Sequence, residues 1–237
     1  MSPPGSLEAM LRRPCSIRCI APQEVKMKTR KRLLAGLMAC ALMPVTAFAV
    51  DGVTLIDQNR ALAGNVTPGD TPGFPVTINR SGSFRLSGNL TVPADTHGIV
   101  MGASGVTLDL NGFAIVSGGG ANGIGITDLS TPQSQITVHN GQVNQFATSI
   151  RLQSSTRVAV EDTILGTQPV GLSIITGSHS RILRNIDGNN GLIQAECPSI
   201  IADNITAGFI SVFVNDATQQ CVRYHNRSLN FGAAVTE

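Results

Sequence analysis

LDLNG (residues 108–112), VHNGQ (138–142), VEDTI (160–164), ILRNI (182–186) and IADNI (201–205) are five versions of one pattern. Their starts lie 30, 22, 22 and 19 residues apart. An apolar residue leads each copy (Leu108, Val138, Val160, Ile182, Ile201), and the fourth place is small or amide-bearing (Asn111, Gly141, Thr163, Asn185, Asn204). A period near 20 residues, with no helical pattern inside it, predicts an all-β solenoid in which each copy stacks on the one before.

Each copy is followed, after a turn, by another short apolar strand, usually entered through glycine: GIGITDL from Gly123, SIRLQ from Ser149, GLSII from Gly171, GLIQA from Gly191 and GFISV from Gly208. A third strand is expected to lead into the first, at Arg157-Val158, Arg181-Ile182 and Ser199-Ile200. Three short strands in a turn of about 22 residues describe a parallel β-helix. Each strand then pairs with its equivalent one coil away, at a spacing of about 4.8 Å. A doubly wound fold would need helical patterns of roughly 10–15 residues between strands, and those are missing.

The fourth-place residues have a structural reason. A tight bend leaves backbone N–H and C=O groups that strand ladders do not satisfy. Asparagine bonds its own backbone, tolerates a left-handed φ, and stacks side chain on side chain along an axis. Asn111, Asn185 and Asn204 are therefore read as a structural turn column.

The first 49 of the 237 residues read as a leader. Met27 opens MKTRKRLLAGLMACALMPVTAFA, with a basic start (Lys28, Arg30, Lys31, Arg32), an apolar run over 33–45 and a small-x-small end at Ala47-Phe48-Ala49. That is a secretory signal peptide over 27–49, with 1–26 upstream of the expected start. The run is too short, and too broken by Pro44, to span a membrane. A lipobox at Leu37-Met38-Ala39-Cys40 fits less well, because Met38 suits it poorly. The expected location is extracellular or periplasmic, with no transmembrane helix after cleavage.

Eight of the 17 basic residues lie before position 50. From Val50 onward, nine Arg and no Lys face ten Asp and three Glu, a net charge of −4. A mildly acidic chain lacks the basic footprint of a nucleic-acid binder. Cys197 and Cys221, 24 residues or about one coil apart, are the cysteines left after cleavage. In an exported protein a disulfide is the default expectation, with two buried thiols as the alternative.

Residues 50–80 read as an N-terminal cap, in which LIDQNRALAG (55–64) forms a short helix ending at Gly64 before a turn-rich stretch. Residues 81–208 form the coils, and 209–237 a last coil and tail whose Phe209, Val212 and Val214 cover the core. Gly118-Gly119-Gly120 and the long first step predict a loop bulging from an early coil, the kind of place where solenoids carry function. Residues 50–237 make one domain.

LIDQNRALAGNVTPGDTPGFPVTI (55–78), GSFRLSGNLTVP (82–93) and GVTLDLNGFAIVSG (105–118) together resemble a group of exported bacterial proteins with right-handed parallel β-helix repeats. The similarity spans most of residues 53–208. It implies a right-handed parallel β-helix of the pectate-lyase-like kind, with roughly five to seven coils and short caps at both ends. It implies little about activity, because that fold hosts lyases, hydrolases, epimerases and non-catalytic adhesins alike.

Stacked copies bring equivalent places side by side. The second place holds Asp109, His139, Glu161, Leu183 and Ala202. The first three form a polar strip with a histidine between two carboxylates, a candidate acid–base trio for sugar chemistry. Alternating polar residues are also what any solvated sheet face requires. The third place holds Leu110, Asn140, Asp162, Arg184 and Asp203. Asp162, Arg184 and Asp203 are candidate ligand-binding residues, with Arg184 as a clamp for a carboxylate; plain cross-strand ion pairing explains their alternating sign equally well.

A lyase or C5-epimerase acting on uronates needs a base and a cation, and Ca²⁺ enters under that reading alone. A glycosidase needs two carboxylates at a set separation, for which Asp109 and Glu161 are the pair to test. No cofactor is otherwise evident and no zinc-ligand spacing is visible; His97, His179 and His225 stand apart. With no Trp and one Tyr, the chain has few platforms on which a sugar stacks. The expected function is an exported, non-catalytic binding or structural module contacting glycans or cell-envelope components. The alternative is a polysaccharide lyase, epimerase or glycosidase using Asp109, His139 and Glu161, and a subunit of a larger fibrous or trimeric assembly is a third class.

Overall fold

Leu108, Val138, Val160, Ile182 and Ile201 lie directly over one another, paired in parallel one with the next and wholly buried. The computed structural model describes residues 52–188, 191–214 and 219–229. They belong to one compact unit, Val50–Glu237. The leader reading lies outside the described residues.

The chain enters through β1 (Val53–Ile56), the helix α1 (Gln58–Ala63) and β2 (Val76–Ile78). Two coils of separate strands follow, β3 (Gly82–Leu86), β4 (Leu90–Val92) and β5 (Ile99–Met101), then β6 (Val106–Asp109), β7 (Ala114–Ser117) and β8 (Ile124–Thr127). β9 (Ser134–Leu152) and β10 (Thr156–Thr176) each run a whole coil without a break. Two more coils comprise β11 (Arg181–Leu183), β12 (Ile186–Asp187) and β13 (Leu192–Glu196), then β14 (Ile200–Ala202), β15 (Ile205–Thr206) and β16 (Phe209–Phe213). β17 (Val222–Tyr224) and β18 (Arg227–Ser228) begin another.

The result is an all-β parallel solenoid of about six turns. Its first sheet stacks β1, β3, β6, β9, β10, β11, β14 and β17; its third stacks β2, β5, β8, β9, β10, β13 and β16. The third sheet contributes its own inward column, Ile99, Ile126, Ile150, Ile174 and Ile193, all buried. Each such side chain adds about 1.5–3 kcal/mol over leaving it in water. Among the described residues no helix is long and apolar enough to cross a membrane.

The remaining strand is not where the sequence pointed. Val158, Ile182 and Ile200 belong to the same first-sheet strands as the leaders. The second sheet instead begins at the fifth place of the copies, Ile164, Ile186 and Ile205, beyond a bend. Strands of two residues, such as β12 and β15, are too short to show an alternation.

That bend falls on the third place. Asn140, Asp162, Arg184, Asp203 and His225 all take a left-handed φ, between 53 and 63°. With the positive φ absorbed there, the next residue turns its amide inward. Asn185 Oδ1 accepts from the Thr163 amide and hydroxyl, Asn204 Oδ1 from the Asn185 amide and side chain, and Asn226 Oδ1 likewise from Asn204. Their Nδ2 groups donate to the carbonyls of Val160, Ile182 and Ile201. Asn111 stands outside this ladder: it takes the left-handed position itself (φ 52°) and donates to Leu86 O. Leu110, fully buried, packs into the space beside Gly141, so no amide fits there.

The opening coil replaces a second-sheet strand by α1, shorter than LIDQNRALAG suggested because Leu55-Ile56 is already in β1. Asp57 caps α1 by accepting from Arg60 N–H, and Gly64 ends it. Gln58 exchanges two hydrogen bonds with the backbone of Thr91, its side-chain amide acting as one residue of a partner strand. Asp70 accepts from Thr77 N–H, while Thr67 bonds Thr77 O and Asn79 N–H, so the edge of β2 is satisfied as well. At the other end the expected cover is corrected. Ile210 and Val212 pack on the core, whereas Phe209 and Val214 face outward, 60% and 52% exposed. Strand parity decides this: Ile210 stacks on the buried Ile193. Cys197 and Cys221 are joined by a disulfide, with Cα atoms 5.0 Å apart.

Candidate functional site

The outward places of the first sheet bring Asp109, His139 and Glu161 onto successive strands, β6, β9 and β10. Arg85 stands opposite Asp109 on the other side. These side chains alternate with the buried leaders because consecutive strand residues point to opposite faces.

The strip is a chain of ion pairs. Arg85 Nε lies 2.9 Å from Asp109 Oδ2; Arg181 Nη2 lies 2.6 Å from Glu161 Oε1, and Arg184 Nη2 3.3 Å from Glu161 Oε2. His139 Nδ1 is 4.0 Å from Asp109 Oδ1, beyond hydrogen-bond reach. Asp109 Oδ1 is taken instead by the Asn111 N–H and by Asn140 Nδ2. At the third place Arg184 grips Asp162 through two bonds of 2.7 Å, and Asp203 pairs with His225 at 3.4 Å. So Arg184, read as a clamp, has its donors engaged by Asp162 and Glu161, and Asp203 belongs to a different pair.

Electrostatics follow from these contacts. Partial burial raises the Asp109 pKa, but bonds from Asn111 N–H, Asn140 and Arg85, with the nearby His139, outweigh it and hold it below the ordinary carboxylate range. The Arg184 bonds lower that of Asp162 against a smaller opposing effect of burial, and Asp162 in turn raises that of Arg184. Both carboxylates titrate lower in the folded chain than in the unfolded one, so their support is complete above their unfolded pKa values of about 3.9. It is lost as pH falls through the folded values. Residues 50–237 are expected to melt at a lower temperature at acid pH than at neutrality, with Asp109→Asn narrowing the gap. Identical gaps for wild type and Asp109→Asn in a calorimetric pH series would count against this assignment.

No protein-family model, curated protein or solved structure matches this chain. The solenoid therefore rests on its own strand register, and the site on its own geometry.

Among the described residues no three His, Cys, Asp or Glu side chains converge as a metal-ligand set. Sequence reasoning missed Arg85 and Arg181, which complete the strip; each lies outside the five aligned copies or one place before a leader. It also missed a row of buried serines at the third corner: Ser155, Ser180 and Ser199, joined in part by Ser180 N–H donating to Ser199 Oγ. Asp128, 2% exposed, heads that row by accepting from Ser155 Oγ.

Proposed function

We propose that this chain is an exported, non-catalytic binding or structural module of the right-handed, pectate-lyase-like β-helix kind, whose first-sheet face contacts glycans or other cell-envelope components. The observation that carries this reading is that the carboxylates of the candidate trio are already ion-paired. A glycosidase needs one carboxyl kept protonated near neutrality by a raised pKa, and the surroundings of Asp109 push the other way. A face of alternating charges on successive rungs offers a polar polymer repeated contacts instead. Three strands in each coil of about 22 residues support the pectate-lyase-like assignment.

The test is to incubate residues 50–237 with a panel of polysaccharides, following ultraviolet absorbance for unsaturated products and assaying new reducing ends, alongside retention on immobilised glycans. No product is expected, with retention weakened about fivefold or more by His139→Ala. Turnover that disappears in Glu161→Gln would overturn the proposal in favour of a polysaccharide-modifying enzyme.

A further inference from the structure

A polar recess of about 270 Å³ lies on the third sheet, away from the first-sheet face. Three successive strands and the loops beside them build it: His97 just before β5, Asn122 before β8 and Thr127 at its end, Leu129 and Ser130 after it, and Arg151 on β9. The loops carrying Asn122, Leu129 and Ser130 fall within the long first step between repeats.

Two independent features mark it as a prepared site. The first is its rim, where Leu129 and Ser130 hold left-handed φ values of 46° and 64° in succession. Such a conformation is uncommon for an L-residue, and more so for leucine than for asparagine or aspartate. It is locked from beneath: Asp128 Oδ1 accepts from Ser130 N–H at 3.0 Å, and its Oδ2 accepts from Ser154 N–H at 3.0 Å and Ser155 Oγ at 2.9 Å. Thr127 Oγ1 accepts from Leu129 N–H at 3.0 Å. Strained backbone that a neighbouring coil holds in place is a mark of functional loops.

The second feature is charge. Arg151 is the one cation in the recess lining, no carboxylate lines the recess beside it, and, as with Arg60, Arg80 and Arg157, none pairs with it among the described residues. Asp95, behind Asn122, accepts from that residue's amide and side chain. His97 Nδ1 accepts from Ile124 N–H at 3.1 Å, which leaves Nε2 to carry the proton of the neutral ring. Burial, and then the Arg151 charge, lower the His97 pKa, so the ring is a neutral donor rather than a second cation. One guanidinium suits a monoanion, and its planar fork suits a carboxylate. At about 270 Å³ the recess lies just below the roughly 300 Å³ at which ligand pockets begin, so it suits only a small ligand group.

We propose that this recess binds a small polyhydroxylated monocarboxylate, its carboxylate on Arg151 and its hydroxyls met by His97, Asn122 and Ser130. The ligand is either a free sugar acid or the acidic end of a longer chain. The site stands whether or not the first-sheet face binds glycans.

The test is an NMR titration of residues 50–237 with glucuronate, a glucuronate-terminated oligosaccharide, glucose and inorganic phosphate. Saturable glucuronate binding is expected, perturbing the amides of Ile124, Leu129 and Ser130, with glucose at least about tenfold weaker because a charge-assisted bond is absent. Arg151→Gln is expected to lose about tenfold or more, with an unchanged melting temperature because its side chain points out of the core. Oligosaccharide binding as tight as that of glucuronate identifies a chain end as the ligand; much weaker binding identifies the free acid. His139→Ala is expected to leave glucuronate affinity intact. No saturation, phosphate binding as tightly as glucuronate, or loss of binding in His139→Ala with Arg151→Gln unaffected would each overturn the proposal.

Discussion

Replacing Asn185 with alanine is expected to cost the solenoid about 4 kcal/mol. Asn185 is fully buried and bonds in both directions along the axis. Its Oδ1 receives the Thr163 N–H at 3.1 Å and hydroxyl at 2.6 Å; its Nδ2 reaches Val160 O at 2.9 Å and Asn204 Oδ1 at 3.0 Å. Alanine strands the Thr163 N–H, the Thr163 hydroxyl and Val160 O where water does not reach, at about 1–3 kcal/mol for each group left unmatched, while Asn204 Oδ1 keeps the backbone N–H of residue 185. Partial relaxation keeps the sum below its ceiling. Asn111→Gly is the control: it keeps a residue at ease with φ 52° and removes one half-exposed bond, to Leu86 O, for about 1 kcal/mol or less. Urea unfolding measures both. A loss for Asn185→Ala no larger than that for Asn111→Gly would mean that the amide ladder carries none of the stability assigned to it.

The second large effect concerns the disulfide. β17 has only exposed side chains, so burial contributes little to holding its coil in place. The backbone bonds of Val222, Arg227 and Leu229 to Ser199, Asn204 and Thr206 attach it, together with the Cys197–Cys221 link across 24 residues. Closing a loop of that length removes unfolded-chain entropy equivalent to about 3 kcal/mol. The Cys197→Ala, Cys221→Ala double variant is expected to unfold about 3 kcal/mol more readily. Amide exchange at Val222, Arg227 and Leu229 is expected to accelerate before exchange at Ile174 or Ile193. Uniform acceleration throughout, or none, would show that the bond does not pin this coil in particular.

How much of this could be read in advance depended on side-chain size and repetition. The leaders and the isoleucine column of the third sheet were legible because large apolar residues recur at fixed places. The second sheet was not, because β12 and β15 supply two residues each. RYHNR (223–227) is a sixth copy with a fourth amide, Asn226, but an arginine in the leader place disguises it. Asp109, His139 and Glu161 were legible as neighbours. Their neutralisation was not, because Arg85 precedes the first aligned copy and Arg181 reaches Glu161 diagonally. The recess on the third sheet joins His97, a non-repeating loop and Arg151, which no period links. Leu110 shows the same limit on a small scale: in a bend two residues longer than that of the next coil, its side chain fills space that an amide occupies elsewhere.

Gln58 has a consequence for self-association. A bare parallel edge is a template on which a neighbouring molecule can continue the ladder. By seating its own amide against Thr91, Gln58 occupies the rung at which such growth would start, and it belongs to a helix that offers no further rung in return. Fibre formation through the second sheet would have to evict that side chain first, so one glutamine serves as a stop signal for polymerisation on this side.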